Sequence, residues 1–526
     1  MRSPLIIGTR GSELALWQAN YVKDLLHELG YPCELKIIKT QGDNMQELSP
    51  DKMEGKGFFT KEIEDALLRE ETDIAVHSFK DLPTESPAGL YIAAVSERED
   101  PSELFLVRKE ALDPKKKFGI KIGGHVGTSS ARRKSQLLAF RPDLKVTDMR
   151  GNVPTRLNKL REGMYDGIML AFAGVERLGL NTDDFFVEKL SPEEIIPAPA
   201  QGIVAIQVRE SDKALHEILK AIDNREVRII SELERKVLNL FQGGCQTPVG
   251  VYATYDEERE IYSVRASKSK AWDKSPVSVY SESKDPQVLP TRIVGKINSV
   301  KPCSVFITRN PRKESYLKNV LTGNGFSLEE KSLIEMKPVT FGPIPNCEWI
   351  FFSSKHAVKF FFDQKPDITE QKFACVGKAT ADALRQYGKR ASFIGASADT
   401  RMTGKQFASL TGNAKVLFPQ AKGSLKSIQQ QMIKSEFVVD LIVYETLKRN
   451  DGEMPVAEIV VFTSPSNVDA WFENYTFSKQ QKAVAMGDAT ANALKMKKVY
   501  ASALVDVFDD TGIARAVFGS SAVSDN

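Results

Sequence analysis

Cysteine and histidine are scarce in this sequence, with five of each among 526 residues. The cysteines (Cys33, Cys245, Cys303, Cys347 and Cys375) form no CxxC pair, and the histidines form no HxxxH or HExxH motif. Those spacings are typical of zinc sites, so we expect no metal centre. The odd number of cysteines indicates free thiols, most of them buried and unreactive.

Long apolar runs and a strong excess of charge are absent as well. No stretch approaches the roughly 18 apolar residues of a membrane-spanning helix, and Arg10, Ser12 and Glu13 interrupt the apolar start that a signal peptide would need. We therefore expect a cytoplasmic protein without a membrane partner. The net charge of +3 argues against a general nucleic-acid-binding surface, and no obligate protein partner is implied.

Patterns typical of strands and helices alternate through the first half. Residues 4–9, 34–40 and 73–79 have the pattern of strands, and residues 165–174 and 202–210 have that of buried strands. This alternation predicts an α/β chain with mostly parallel sheets. Ligands of such sheets bind on the loops beyond the carboxyl ends of the strands.

The composition turns polar between residues 273 and 302, where serine, lysine and proline are frequent. A short helix-like stretch lies within this polar run, before INSVKP, and we expect a domain boundary near residue 300, with few contacts crossing it. A fragment that ends near residue 300 is then expected to keep the activity of the first half.

The second half contains an internal repeat. FFSSKHAVKFFF at residue 351 matches VFTSPSNVDAWF at 461, and VGKATADAL at 376 matches MGDATANAL at 486, so both motifs recur at one and the same offset. The repeat predicts two similar α/β domains with a cleft between them. In each copy Ser or Thr begins a helix, where unpaired N–H groups suit an anion. Simple N-capping explains each of these motifs equally well when it is taken alone.

Five polar stretches of the first half hold charged or hydroxyl residues where packing does not require them. They are GTRGSELALWQ, EGKGFFTKE, VHSFKDLP, VGTSSARRKSQLL and RGNVPTRLNKL. Serines that begin a helix, followed by Arg132 and Arg133, combine N–H donors with two guanidinium groups and suit carboxylates or phosphates. The motifs GxxxxGKS/T and strand-linked GxGxxG are missing, which disfavours ATP and dinucleotides. Several arginines on separate loops therefore favour a polycarboxylate ligand.

Two residues in these surroundings indicate more than anion binding. Asp81 is a lone carboxylate among cations, so it could accept hydrogen bonds from ligand N–H groups or handle protons. A salt bridge to a nearby Lys or Arg is an equally good explanation. Cys245 follows two glycines in GGCQTPVG, and such a loop can present a thiolate as a nucleophile or covalent anchor.

Residues 1 to about 300 closely resemble hydroxymethylbilane synthase, also called porphobilinogen deaminase. The matching stretches follow the family's order: TRGSELALWQ, GKGFFTKE, IAVHSFKDLP, EREDPSE, VGTSSARR, RGNVPTRL, PAPAQG and GGCQTPVG. Ala200 in PAPAQG stands where the family commonly has glycine. The resemblance implies two α/β domains like those of periplasmic binding proteins, over about 1–98 with 199–220 and about 99–198. It also implies a small α+β third domain over about 221–300.

Residues from about 303 to 526 resemble uroporphyrinogen III synthase. The matching stretches are VFITR, FFSS, VGKATADAL, VLFP, VYETL, VFTSPSNV and MGDATANAL. The resemblance implies two repeat-related α/β domains within 301–526, over about 301–335 with 446–526 and about 336–445. The chain thus resembles a fusion of two consecutive enzymes of porphyrin and haem biosynthesis, a transferase and a lyase.

The first resemblance implies the joining of four porphobilinogen molecules into hydroxymethylbilane with loss of ammonia. It implies a dipyrromethane cofactor held by Cys245 through a thioether, and catalytic roles for Lys80 and Asp81. Asp81 would bond the pyrrole N–H groups and stabilise a cationic azafulvene intermediate. Contacts to the cofactor are implied for Lys80, Asp81, Ser129, Arg132, Arg133 and Arg150. Contacts to the substrate are implied for Arg10, Ser12, Lys56, Thr128, Arg156, Arg177 and Gln201.

The second resemblance implies closure of hydroxymethylbilane to uroporphyrinogen III with loss of water. Tyr444 would assist departure of the hydroxyl group, and Ser464 and Thr490 would contact the substrate. Two other interpretations stay open at this point. The first half could be an anion-binding protein without catalysis, and the second half could be an inactive structural appendage.

Overall fold

The computed structural model describes residues 3–41, 60–242, 247–395, 400–449 and 453–522. The chain divides into two compact units. The first contains Met1–Glu330, Pro455–Thr463 and Ser478–Asn526, and the second contains Lys331–Met454 and Ser464–Phe477. Within the described residues, no helix is both long and apolar enough to cross a membrane.

The first sheet of the first unit has the strand order β2-β1-β3-β10-β4. Its strands are β1 (Leu5–Thr9), β2 (Cys33–Ile37), β3 (Ile74–Ser78), β4 (Leu90–Val95) and β10 (Val204–Arg209). Helices α1 (Glu13–Glu28) and α2 (Lys61–Leu68) connect the first three strands. The expectation of mostly parallel strands is wrong for β10, which runs antiparallel to β3 and β4 because the chain returns to this sheet from the second one.

The second sheet has the order β7-β6-β8-β5-β9. Its strands are β5 (Glu103–Arg108), β6 (His125–Gly127), β7 (Lys145–Thr147), β8 (Gly167–Ala171) and β9 (Phe185–Leu190). Here β5 is the antiparallel strand, because it is the one that enters from the first sheet. Helices α3 (Ala131–Phe140), α4 (Val153–Arg161) and α5 (Phe172–Arg177) follow β6, β7 and β8, so their N-termini lie at strand ends.

The third sheet is a small antiparallel one, formed by β11 (Val249–Asp256), β12 (Ile261–Lys268) and β13 (Val277–Ser283). Helices α6 (Lys213–Leu219) and α7 (Arg225–Leu240) precede it, and α8 (Leu289–Ser299) follows it. The helix-like stretch expected within the polar run is confirmed as α8. Leu289, Ile293 and Ile297 recur every four residues and form a buried stripe on that helix, while the polar residues between them cover its outer face.

The fourth sheet is parallel throughout, in the order β15-β14-β22-β23-β24. Its strands are β14 (Ser304–Ile307), β15 (Ser327–Glu330), β22 (Ile459–Phe462), β23 (Lys482–Ala485) and β24 (Ala501–Leu504). Its helices are α9 (Tyr316–Gly323), α14 (Asp488–Met496) and α15 (Asp510–Ser521). We call this part of the first unit, residues 303–330, 455–463 and 478–522, the fourth-sheet domain.

The third sheet and the fourth-sheet domain share one hydrophobic core. A single cluster of buried side chains runs from Val264 and Val279 through Ile293 to Val305 and Phe518. Helix α15 joins the two parts, because it packs on β13 as well as on the strands of its own sheet. The expectation that few contacts cross residue 300 is therefore wrong.

The second unit is built on a sheet of order β16-β21-β20-β17-β18-β19. Its strands are β16 (Ile334–Pro338), β17 (Trp349–Phe352), β18 (Lys372–Cys375), β19 (Ala391–Ile394), β20 (Val416–Ala421) and β21 (Val438–Lys448). All pairs are parallel except β16 with β21. The helices of this unit are α10 (Lys355–Phe362), α11 (Lys378–Arg385), α12 (Thr400–Thr411) and α13 (Pro465–Asn474).

The internal repeat predicted from the sequence is confirmed by the elements themselves. Strands β17, β18 and β19 begin at residues 349, 372 and 391, and β22, β23 and β24 begin at 459, 482 and 501. Helices α10, α11 and α12 begin at 355, 378 and 400, and α13, α14 and α15 begin at 465, 488 and 510. Every pair of elements keeps the offset at which the two sequence motifs recur.

Candidate active site

The loops after β1 and β3 bring the first group of predicted site residues together. Arg10 follows β1, and Ser12 caps α1 by accepting a hydrogen bond from the Ala15 N–H at 3.4 Å. Asp81 lies in a short helical turn that follows β3. Arg10, Ser12 and Asp81 line one pocket together with Gln18 and His77, so these two strand ends form one surface.

Asp81 is exposed and forms no hydrogen bond or ion pair with the residues that the structure describes. It lies close enough to Lys80 and Arg156 for its charge to raise the pKa of both groups. The salt bridge considered from the sequence is not formed within this part of the chain. The carboxylate is therefore placed to accept hydrogen bonds from a ligand.

Lys80 lies beside Asp81, and its ammonium group is within 3.4 Å of the Gln201 Oε1 atom. Burial lowers the pKa of Lys80 to about 8, although the Asp81 carboxylate acts in the opposite direction. Arg133 and Arg132 lower this pKa further through their positive charges. For Lys80, burial and the two arginine charges thus outweigh the nearby carboxylates of Asp81 and Glu103.

The start of α3 uses its hydroxyl groups within the protein. Ser130 caps the helix by accepting from the Arg133 N–H at 3.4 Å. The Ser129 hydroxyl donates to the Met149 carbonyl at 2.8 Å and accepts from the Met149 N–H at 3.0 Å. Thr128 is fully buried. Both Thr128 and Ser129, predicted to contact ligand, therefore also serve to hold this loop.

A buried carboxylate bridges Arg132 and Arg133. Glu103, at the start of β5, accepts from Arg132 Nη2 and from Arg133 Nη2, both at 2.6 Å. Burial raises the pKa of Glu103, but the two guanidinium charges outweigh that effect and bring it to about 2. Arg132 Nη1 donates to the Ile196 carbonyl at 2.9 Å, and Arg133 Nη1 donates to the Met169 carbonyl at 3.1 Å. These partners fix the planes of both guanidinium groups.

The three further predicted arginines differ in how far protein groups use their donors. Arg156 Nε donates to the Gly151 carbonyl at 2.7 Å, and burial together with the Arg133 charge lowers the pKa of Arg156 to about 10. Arg177 Nη2 donates to the Gly202 carbonyl at 2.7 Å, and its guanidinium lies 5.1 Å from the Trp17 ring centroid. The Arg150 side chain has no hydrogen-bond or ion-pair partner within the described ranges.

Gln201 is held in a strained turn between the first two sheets. Its Nε2 atom donates to the Pro101 carbonyl at 2.8 Å. The preceding Ala200 is buried with a φ of +59°, which explains why glycine suits this position. Glu234 holds the turn by accepting from the Ala200 N–H at 2.6 Å. Gly202, with a φ of +88°, has no room for a Cβ, because that atom would lie 2.2 Å from the Glu99 carbonyl oxygen.

Lys56 and Cys245 lie outside the described residues, so their predicted roles stay predictions. Sequence reasoning missed two residues of this region. Glu103 lies in the quoted stretch EREDPSE, and a single acid at the start of the buried strand ELFLV was the available signal. His77 lies in a buried strand, and its Nε2 atom is buried without a hydrogen-bond partner among the described residues; no sequence pattern marks it.

The predicted residues of the second half are all buried or serve as caps. Tyr444 lies inside β21 and not at its end, because the strand continues to Lys448. Its ring stacks on Phe360 with centroids 5.1 Å apart, and its hydroxyl is 3.5 Å from the Ser354 hydroxyl. Burial raises the pKa of Tyr444, so the phenol is neutral at physiological pH.

Ser464 begins a helix, as predicted, and Thr490 lies in the first turn of α14. Ser464 caps α13 by accepting from the Asn467 N–H at 3.3 Å. Thr490 is 1% exposed, and its hydroxyl donates to the Met486 carbonyl at 3.1 Å. Capping and local hydrogen bonding therefore account for both hydroxyl groups in this structure.

Comparison with known proteins identifies the first half. The family model for the porphobilinogen deaminase, dipyromethane cofactor binding domain, matches residues 5–217, and the model for the porphobilinogen deaminase C-terminal domain matches residues 229–264. The porphobilinogen deaminase of Nitratidesulfovibrio vulgaris (strain DP4) is 47% identical over 263 residues, which are 49% of this chain and 81% of that protein. The chain belongs to the porphobilinogen deaminase family. A probable porphobilinogen deaminase from Methanocaldococcus jannaschii is 45% identical over 50% of this chain and 86% of that protein.

The second half matches another family model, that of uroporphyrinogen-III synthase HemD, over residues 315–509. A solved structure, the uroporphyrinogen-III synthetase from Helicobacter pylori 26695, is 15% identical, corresponds to 40% of this chain and 96% of that one, and has a TM-score of 0.32. That score is too low to carry an argument. The chain is a bifunctional fusion of a porphobilinogen deaminase with a uroporphyrinogen-III synthase, and it serves tetrapyrrole biosynthesis from porphobilinogen to uroporphyrinogen III.

The deaminase half contains the domain that binds a dipyrromethane cofactor. This group carries an acetate and a propionate on each ring, so its site needs an excess of cations. The described residues fit this need. Arg133 Nε and Arg177 Nε are buried without hydrogen-bond partners in the described part of the chain. Burial, together with neighbouring arginine charges, holds the pKa of Lys80 and Arg156 below their usual ranges.

Proposed function

We propose that the residues at the strand ends of the first two sheets carry out the deaminase reaction in this chain. Cys245 binds the dipyrromethane covalently, and Asp81 accepts hydrogen bonds from pyrrole N–H groups. Lys80 assists Asp81 as the nearest ammonium group. Arg132, Arg133 and Arg150, with the Ser129 loop, hold cofactor carboxylates, and the substrate's carboxylates are held by Arg10, Ser12, Lys56, Thr128, Arg156, Arg177 and Gln201.

The observation that carries this proposal is the charge balance around Asp81. Lys80 and Arg156 are cations whose pKa values burial has lowered, and Asp81 is a carboxylate with no partner in the described structure. A ligand with several carboxylates and N–H groups supplies what each of these groups lacks. Porphobilinogen and the oligopyrroles made from it have both features. When bound, the cofactor supplies the pyrrole carbon at which the chain is extended.

We further propose that the second half closes hydroxymethylbilane by positioning it more than by acid–base chemistry. The neutral Tyr444 phenol donates a hydrogen bond to the departing hydroxyl group. Ser464 and Thr490 act through the helix starts they define, where N–H groups bind substrate carboxylates. The Ser354 hydroxyl, 3.5 Å from the phenol, orients it.

The finer domain division also stays a proposal. The chain crosses from the first sheet to the second between β4 and β5 and returns between β9 and β10. This double crossing supports two lobes of the periplasmic-binding-protein type over about 1–98 with 199–220 and 99–198, followed by a third domain to about 300. In the second half, β16 pairs with β21 and thus supports a domain that starts slightly before the expected residue 336.

Intact-mass spectrometry and product analysis test the proposed roles together. We expect the purified protein to carry the added mass of dipyrromethane and Cys245→Ser to lack it, along with deaminase activity. Asp81→Asn should keep the added mass and the fold but lose most turnover, because it retains size while removing the charge. Asp148→Asn is the matched control. Asp148 is an exposed aspartate directly after β7 of the second sheet, and we expect this variant to have normal turnover.

The product isomer reports on the second half. Wild-type protein supplied with porphobilinogen should release uroporphyrinogen of type III, whereas Tyr444→Phe should slow closure and allow some type I to form spontaneously. If wild-type protein binds porphobilinogen without releasing ammonia, the first half is an anion-binding protein without catalysis. A wild-type product of type I alone would identify the second half as an inactive appendage.

A further inference from the structure

Helix α3 links the proposed anion site to the fourth-sheet domain. Its first turn carries Arg132 and Arg133, and its last residue, Phe140, stacks on Tyr316 of α9 with ring centroids 4.2 Å apart. The Asn319 side chain of α9 donates from Nδ2 to the Ala139 carbonyl at 3.0 Å. The last carbonyls of a helix have no partner within it, so Asn319 caps α3 from the other half of the chain.

A second group of contacts connects the fourth-sheet domain to Arg132 by a different route. Arg515 of α15 is 2% exposed, and its Nη1 atom donates to the Glu193 carbonyl at 2.9 Å. Three residues further on, the Ile196 carbonyl accepts from Arg132 Nη1 at 2.9 Å. Gln136 of α3 bonds both the carbonyl and the N–H of Ile196, at 2.9 and 2.8 Å. The loop between Glu193 and Ile196 is thus held by the fourth-sheet domain at one end and by α3 at the other.

Arg515 is itself held by buried ion pairs. They connect Asp506 and Arg515 of the synthase half with Arg265 of the deaminase half. Asp506 accepts from Arg515 Nε at 3.0 Å and from Arg265 Nε of β12 at 2.8 Å. Asp506 is 3% exposed at its side chain. A buried carboxylate with two guanidinium partners has defined geometry, so Arg515 cannot move without disturbing the third sheet.

We propose that the fourth-sheet domain positions the deaminase's anion site, because Tyr316, Asn319 and Arg515 hold Arg132 and Arg133 in place through α3 and the 193–196 loop. This inference rests on the proposed roles of those two arginines. It makes cofactor binding and deaminase turnover depend on residues of the synthase half that touch neither substrate nor cofactor. Small displacements of groups that hold a reacting partner have large kinetic effects, which is why support from the far end of α3 matters.

The test substitutes the stacked tyrosine in the full-length chain. Tyr316→Ala removes the ring, Tyr316→Phe keeps it, and Tyr500→Ala removes a 76% exposed tyrosine of the same domain as a matched control. Because Arg132 and Arg133 are proposed to hold the cofactor's carboxylates, we expect Tyr316→Ala to lower the fraction of protein that carries the added mass of dipyrromethane about 2- to 10-fold, the size of effect that an aromatic pair can have. Deaminase turnover should fall with it. Tyr316→Phe should restore the wild-type cofactor content, and Tyr500→Ala should keep it. Closure of hydroxymethylbilane supplied directly should be unchanged in all three.

Asn319→Ala gives a second measurement in case Tyr316→Ala folds poorly. It removes only the cap on the Ala139 carbonyl, and we expect a smaller loss of cofactor content of about 2- to 5-fold with unchanged closure. Unchanged cofactor content in both variants would overturn the inference. A parallel loss of both activities with a lowered Tm would also overturn it, because that result describes packing alone. A wild-type protein without deaminase activity would instead defeat the proposed function.

Discussion

Helices α12 and α15 are the same element of the internal repeat, yet their surroundings differ. In α12 one face is buried, through residues such as Thr403, Phe407 and Ala408, while Leu410 is 56% exposed. In α15 every residue from Thr511 to Phe518 is buried. The two helices begin exactly one repeat apart, at residues 400 and 510, and cover the same turns of the repeat.

The difference follows from what packs on the outer face of each helix. Helix α15 contacts its own sheet on one side and β13 of the deaminase half on the other, and it also touches α8 and α9. A helix buried on both faces needs apolar or small residues all round, and GIARAVF from Gly512 to Phe518 provides them except at Arg515, whose buried charge is paired with Asp506. The repeat therefore determines the fold of each copy, whereas the fusion to the deaminase determines which copy has a free surface.

Removal of α15 should have the largest effect, because it uncovers the core that the two halves share. We expect a chain ending after residue 508 to lose solubility and most deaminase activity, since the lost burial is comparable to the whole stability of a domain, about 5–15 kcal/mol. A chain ending after Ala522, which keeps α15, is the control. Soluble expression, a melting curve and ammonia release are the measurements. Full deaminase activity in the shorter chain would restore the view that the halves are separable.

A core phenylalanine in each helix sharpens the comparison. Phe407 of α12 and Phe518 of α15 are both fully buried, so truncation of either to alanine should cost about 3–5 kcal/mol. We expect Phe518→Ala to lower the temperature at which deaminase activity is lost, because Phe518 belongs to the core that includes the third sheet. Phe407→Ala should leave that temperature unchanged, since Phe407 belongs to a core of the second unit. Equal shifts in deaminase inactivation would contradict this distinction.

The sequence was sufficient for the repeat and for most of the strand-end loops. Periodicity and local motifs mark helix starts such as Ser130 and Ser464, because capping depends on neighbouring residues. The contacts between distant segments were not predictable. Glu103 meets Arg132 only after β5 joins the second sheet, and Asp506 meets Arg265 only after α15 packs on the third. No local pattern encodes either pair.

The error near residue 300 has a related cause. Polar composition over residues 273–302 predicted few contacts across residue 300, but composition does not show that the helix-like stretch, α8, buries one apolar stripe. The apolar residues of α8 are few, and neither their number nor their spacing shows what they pack against. The surface they pack against lies partly in α15, a helix that the chain forms only after the whole second unit.

The smallest expected effects on stability come from substituting the charged residue that α12 and α15 carry at the same position of the repeat. These substitutions give the most direct contrast between the two helices. Lys405 of α12 is exposed, and Arg515 occupies the same place one repeat later in α15, at 2% exposure. Lys405→Leu should change the free energy of unfolding by less than about 0.5 kcal/mol, as is usual for surface substitutions. Arg515→Leu should cost about 2 kcal/mol, as is common when a buried charged group loses its place in a network. This cost in free energy is smaller than that of removing one partner of an isolated buried ion pair, because Asp506 still has Arg265 as a partner.

Urea denaturation of the two variants, followed by deaminase activity, separates the contributions. The Arg515→Leu variant should lose deaminase activity at a lower urea concentration than wild type. The Lys405→Leu variant should lose it at the same urea concentration as wild type. The double variant Arg265→Leu/Arg515→Leu should lose more free energy of unfolding than the two single variants together, because Asp506 is then buried without either partner. Strict additivity of these changes would mean that Asp506 does not couple the two halves, and the contrast between α12 and α15 would then reduce to apolar packing.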